Sequence, residues 1–123
     1  MSSITEWSKT ESAIKKVYFG KRTSAIGAQR IKVLAIEKEY DLPHIEKHSP
    51  DGFNWGYGGS GAADTALSIL TDFLGDKEKA EKFYQDFKWA FVANIKKEDD
   101  LVIHGVRIHY WMQRMIHKQE TAT

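Results

Sequence analysis

The stretch FNWGYGGSGAAD, residues 53–64, constrains the fold of this chain more than any other, because it drives a glycine-dense loop straight into a helical pattern. It holds four of the chain's nine glycines. Phe53, Trp55 and Tyr57 alternate with smaller residues, so an extended backbone would place all three rings on one face. Gly56, Gly58, Gly59 and Gly61 then let the chain turn sharply, or let another group come close to its backbone. Downstream, Ala63, Ala66, Leu67, Leu70, Phe73 and Leu74 follow the three-four spacing of a buried helical stripe. Ser60 stands where an N-cap is wanted and Gly75 where the helix should stop.

Around this block the pattern alternates between sheet and helix. Ser3 with Glu6 fits a capping box for a short N-terminal helix along Ile4, Trp7 and Ile14. Val17-Tyr18-Phe19 reads as a strand, residues 21–29 as a turn, and residues 31–39 as one longer strand with Ile31, Val33 and Ala35 on one face and Leu34 and Ile36 on the other. Residues 42–52, between and around Pro43 and Pro50, form an irregular connection. Asp76 can cap a second helix carrying Ala80, Phe83, Tyr84 and Phe87. Trp89, Phe91, Ala93 and Ile95 then switch to a period of two and predict another strand. Leu101-Val102-Ile103 reads as a short extended piece before a last helix with Ile108, Trp111, Met112, Met115 and Ile116 on one side. The expectation is an α+β fold: a small, mainly antiparallel sheet of three to five strands with two or three helices packed mainly on one face. Residues 1–15 read as an N-terminal extension, 16–118 as one domain and 119–123 as a frayed tail.

Without cysteine, the chain excludes disulfides, thiolate metal sites and cysteine nucleophiles. No segment reads as a signal peptide or a membrane span, which points to a soluble cytoplasmic protein. The net charge of +1 conceals a polarity: residues 9–38 carry eight bases against two acids, and residues 39–100 thirteen acids against seven bases. A basic stretch folded beside the glycine loop would attract anions. Duplex nucleic acid is not expected as a partner, because the chain has no overall basic excess.

Three chemical motifs can be tested against the loop. Gly56-Tyr57-Gly58-Gly59-Ser60-Gly61 formally matches the dinucleotide fingerprint, but a second helix follows where a parallel strand should, and no acid is placed for a ribose. Ser60 between Gly58 and Ala62 falls one residue short of a nucleophile elbow, and an N-cap explains it more simply. His44 and His48 are four apart but bracketed by prolines, so no metal site and no cofactor is expected.

Val17-Tyr18-Phe19-Gly20-Lys21-Arg22-Thr23, the block SPDGFNWGYGGSG at residues 49–61, and the motif YQDFKW at residues 84–89 together resemble a family of small uncharacterised bacterial and phage proteins. The resemblance covers roughly residues 16–114. Family members often carry proline where Ala62 stands and an acid where Asn54 stands. It implies a phage or mobile-element setting rather than a mechanism.

The resulting expectation is a non-enzymatic binding protein that sequesters a phosphorylated small ligand, such as a nucleotide immune signal, in evasion of host defence. Its ligand-binding residues would be Trp55, Gly56, Tyr57, Gly58, Gly59, Ser60, Gly61 and Asp64, with Lys21 and Arg22 supplying charge and Trp55 or Tyr57 stacking a base. One alternative is a protein–protein inhibitor of a host or defence complex acting through an aromatic and acidic surface. Another is a small hydrolase using Ser60 or Asp64 with a histidine. The pattern is compatible with a monomer or a homodimer.

Overall fold

The computed structural model describes residues 4–23 and 27–121, with side chains from Lys9 onward. The expected Ser3 cap, and the side chains of Ile4 and Trp7, lie outside what is described. Helix α1 (Ile4–Ile14) precedes β1 (Val17–Gly20), β2 (Lys32–Leu34) and β3 (Glu39–Asp41). Then come α2 (Ser60–Leu74), α3 (Lys77–Phe87), β4 (Leu101–His104) and α4 (Gly105–Thr121). The four strands form one antiparallel sheet in the order β3-β2-β1-β4. The fold is α+β, as its pattern predicts.

Period-two alternation decides which face of the sheet is inside. Tyr18, Val33, Leu101 and Ile103 point into the core, while Phe19, Leu34 and Val102 face outward. Helix α2 lies at the centre, with every residue from Gly61 to Leu70 buried. Asp72 near its C-terminus accepts hydrogen bonds from Tyr18 Oη (2.7 Å) and Tyr40 Oη (2.8 Å), and Lys16 Nζ lies 3.1 Å away. This cluster fastens α2 across the inner face of β1 and β3. Burial and the adjoining Asp72 carboxylate push both tyrosine hydroxyls up from their ordinary value, so they remain donors. Gly75 ends α2 in the left-handed conformation, and Asp76 caps α3 by accepting from Lys79 N at 3.1 Å.

Three expectations need correction. Residues 31–39 are not one strand: the chain reverses at residues 35–38, where Ala35 N donates to Lys38 O at 2.9 Å, and leaves Ile36 exposed at the hairpin tip. The alternation that suggested one strand runs through that tip. Residues 89–95 are not a strand either. With no glycine or proline to stop it, α3 continues into a π-helical turn, Lys88–Val92, in which Ala93 N donates to Lys88 O at 2.8 Å. The turn is held by Phe87 and Phe91, stacked at 4.7 Å, with both rings edge-on to Trp111. Ser60 is not the N-cap of α2; Gly59 is, and no side chain caps it. Helix α4 runs through Thr121.

Candidate functional site

Residues 53–61 bend at Gly56. Phe53 pairs with Gln29 in an isolated bridge and is buried, and Trp55 is wholly buried with its indole N–H donating to Asp99 O at 2.8 Å. Gly56 then adopts φ +86, with its amide donating to Val92 O at 3.1 Å. A side chain there would be strained, and its Cβ would meet the Lys97 backbone at 2.6 Å. The bend breaks the common face of the three rings, so Tyr57 turns outward and is 39% exposed.

The remaining glycines are explained by close packing. Gly58 lies against the Trp89 ring, Gly59 against the Tyr57 ring, and Gly61 against Asn54 and the Tyr57 hydroxyl. A Cβ at any of the three would overlap its neighbour. Lys88, buried on the π-helical turn, donates to Gly58 O at 3.0 Å and places its ammonium 4.5 Å from the Trp89 ring. From the opposite side Arg22 donates to Asn54 Oδ1 (2.7 Å) and Trp55 O (3.0 Å), stacked 4.5 Å from the Trp55 ring. The strand period read from Trp89 onward hides the approach of Lys88 and Trp89 to the loop; a helical continuation of the α3 stripe places both beside it.

Asp64 has a different setting. It is fully buried, and its carboxylate accepts from His44 Nε2 (2.9 Å) and from the amides of Lys47 (3.2 Å), His48 (2.8 Å) and Ser49 (3.0 Å). Burial alone would raise its pKa, but the His44 bond and these amides outweigh it and hold the carboxyl below its ordinary 3.8. His48 in turn contacts the Tyr84 hydroxyl at 2.6 Å. The His44–Asp64 pair has the form of an oriented general base. The carboxylate is, however, committed to ordering residues 44–49. Ser60 has no hydrogen bond to a histidine among the described residues.

The expected ligand-binding residues therefore separate. Trp55 presents no face on which a base could stack, a correction that follows from its complete burial. Arg22 braces the loop from behind, and Lys21 faces a different groove on the sheet. Gly56 and Gly58 are closed over by Lys97 and Trp89. Tyr57, Ser60 and Gly61 do come together, lining a cleft of about 190 Å3 with Asn54, Ser49 and Asp51 at the start of α2. Among the described residues no group of three or more histidine, aspartate or glutamate side chains is placed to hold a metal. No described helix is long and apolar enough to cross a membrane.

The three sequence blocks thus meet at one place: Arg22 from the first, Asn54 to Gly61 from the second, Lys88 and Trp89 from the third. Residues 18–114 match the model of a family of unknown function, DUF6166, and the chain belongs to that family. No curated protein and no solved structure shows significant similarity to it.

Proposed function

We propose that this chain is a non-enzymatic binding protein that holds a small phosphorylated ligand in the cleft at the start of α2. One observation carries the reading. A fifteen-residue helix begins at Ser60 behind an N-cap, Gly59, that offers no side-chain cap; it carries no acid in its first turn and opens onto the Tyr57 cleft. Its N-terminal amides and the positive end of its dipole are therefore left for an anion to satisfy. Ser60 is exposed beside them and adds a hydroxyl donor.

The cleft is smaller than the ~300–1,000 Å3 of ordinary ligand sites, so it would grip a group rather than a whole molecule. A phosphate fits at the helix start, and a ligand hydroxyl or amino group can donate to Asp51 at the rim. Tyr57 replaces Trp55 as the ring against which a base would lie. The phage or mobile-element setting implied by the family resemblance makes nucleotide signals, including those of host defence, the first ligands to try.

Thermal melting with inorganic phosphate, nucleoside monophosphates and cyclic nucleotides at millimolar concentration tests this, since a ligand of the folded state raises the melting temperature by mass action. Ser60→Asp should raise the unliganded melting temperature by supplying the missing helix-start charge. The same variant should abolish the ligand-dependent rise. A full ligand response in Ser60→Asp, or none in the wild type, would refute the site.

A second reading is favoured by Trp89. It is 60% exposed and stands across the glycine loop from Tyr57, so two accessible rings flank a rigid ridge, as at a protein-interface hot spot. Trp89→Ala separates the two readings: it would abolish capture of a protein partner and leave the phosphate response intact.

A further inference from the structure

The basic stretch at residues 9–38 does not collect at the glycine loop. Lys16 is spent on Asp72 and Arg22 on Asn54 and Trp55, while Lys21, Arg30 and Lys32 gather on the outer face of the sheet. There they line a groove of about 320 Å3 with Phe19, Thr23 and Ala28. Strand register explains the gathering. Phe19 pairs directly with Lys32 at the end of the β1–β2 ladder, and Lys21 and Arg30 lie just beyond that end on their two segments, lining the same groove.

Like charges gathered in one groove repel each other. Among the described residues, no acid lies within ion-pair distance of either Lys21 or Arg30. Lys32 meets Asp41 at 3.4 Å, but both are exposed, and such pairs contribute little. Phe19, 36% exposed, forms part of the groove and is paired on its other side with outward-facing Val102. The groove therefore combines uncompensated positive charge with an accessible aromatic ring.

We propose that this face binds single-stranded nucleic acid, with backbone phosphates on Lys21 and Arg30 and an unstacked base on Phe19. An acidic peptide would answer the cations but set carboxylates against Phe19 and Val102. An apolar partner would cover the ring and strip water from unpaired cations, which is costly. A nucleotide strand brings phosphates and flat apolar bases in alternation, as in other sheet and groove surfaces that bind single strands. A duplex offers the phosphates but keeps its base faces stacked. The groove and the Tyr57 cleft share Ala28, but none of the groove's charged residues, nor Phe19, lines the cleft, so this inference stands apart from the ligand site.

Fluorescence anisotropy with labelled twelve-nucleotide single strands of DNA and RNA, at 50 and 200 mM salt, tests it on the full chain. The wild type should bind, and bind more weakly at the higher salt. Lys21→Gln with Arg30→Gln should weaken binding at least tenfold and make the salt slope shallower by about 1.4, some 0.7 for each lost phosphate contact. Phe19→Ala should weaken binding about fivefold or more with the slope unchanged, the signature of lost stacking. Ser60→Asp should bind as the wild type does. Removing one or both of these like-charged cations should leave the melting temperature at or above that of the wild type, so lost affinity in either the double variant or Lys21→Gln alone will not reflect lost fold. No binding at 50 mM salt would overturn the proposal. So would equal affinity for the matching duplex or for polyglutamate, competition by a mononucleotide as strong as by the strand, or unchanged binding by the charge variants.

Discussion

Two loops flank α2, and their contrast is the main lesson of this molecule. The glycine loop, residues 56–61, has the composition expected of an anion cradle, yet all four of its glycines are closed over by the chain's own Lys97, Trp89, Tyr57 and Asn54. The loop at residues 44–49 contains no glycine, yet three of its successive amides converge on one carboxylate, that of Asp64. The anion-gripping geometry sought in the first loop is realised in the second, and its anion is built in. Glycine content reports close approach of some group to the backbone; it does not say whether that group is a ligand or another side chain.

The comparison can be broken most forcefully at Phe53. Its ring is core, so Phe53→Ala should cost about 3–5 kcal/mol, measured by denaturant melts. A loss below 1 kcal/mol would show the ladder to be surface.

Asp64→Asn comes next, at about 3 kcal/mol near neutral pH, because buried amides lose a charged acceptor. Its pH dependence sharpens the test. The folded pKa lies below the ordinary 3.8, so the stabilisation is fully present above that value and is lost as pH falls through the folded pKa. The stability gap between wild type and Asp64→Asn should therefore narrow on acidification from pH 6 to pH 3. A gap that widens there would mean that Asp64 is not the charge held by residues 47–49.

Lys88→Met should have a smaller effect, about 1–2 kcal/mol, from leaving Gly58 O without its donor. It should also loosen the corner, seen as faster amide exchange at Gly58 and Gly59. The smallest stability loss is expected for Tyr57→Ala, below about 1.5 kcal/mol, together with loss of the phosphate response. Equal and large losses for Tyr57→Ala and Phe53→Ala would make both rings core and the loop a corner without a site.

Much of the architecture could be read from periodicity and punctuation. The α2 and α3 stripes, the Gly75 stop and the Asp76 cap are local signals, and local physics fixes them. The hairpin tip at residues 35–38 was hidden because Ile36 continues an alternation that the turn interrupts without glycine or proline. The π-helical turn was hidden because apolar residues at every position from Trp89 to Val92 satisfy a strand period and a helix period alike.

At the site, Tyr57, Ser60 and Gly61 could be anticipated because they are adjacent in sequence. The burial of Trp55 and the capture of Arg22 could not, since both depend on Asp99 and Asn54 arriving from distant parts of the chain. Asp64 was singled out as a ligand contact, whereas its carboxylate is engaged by partners 15–20 residues away in sequence. Nothing in the local pattern around Asp64 announces them.

The most direct test of the central contrast is an amide chemical-shift titration with a nucleoside monophosphate, read at both loops at once. The account predicts that the amides of Ser60 and Gly61 move progressively with ligand while those of Lys47, His48 and Ser49 stay in place, already held by Asp64. Movement at residues 47–49 without movement at residues 60–61, or no movement at either, would contradict it.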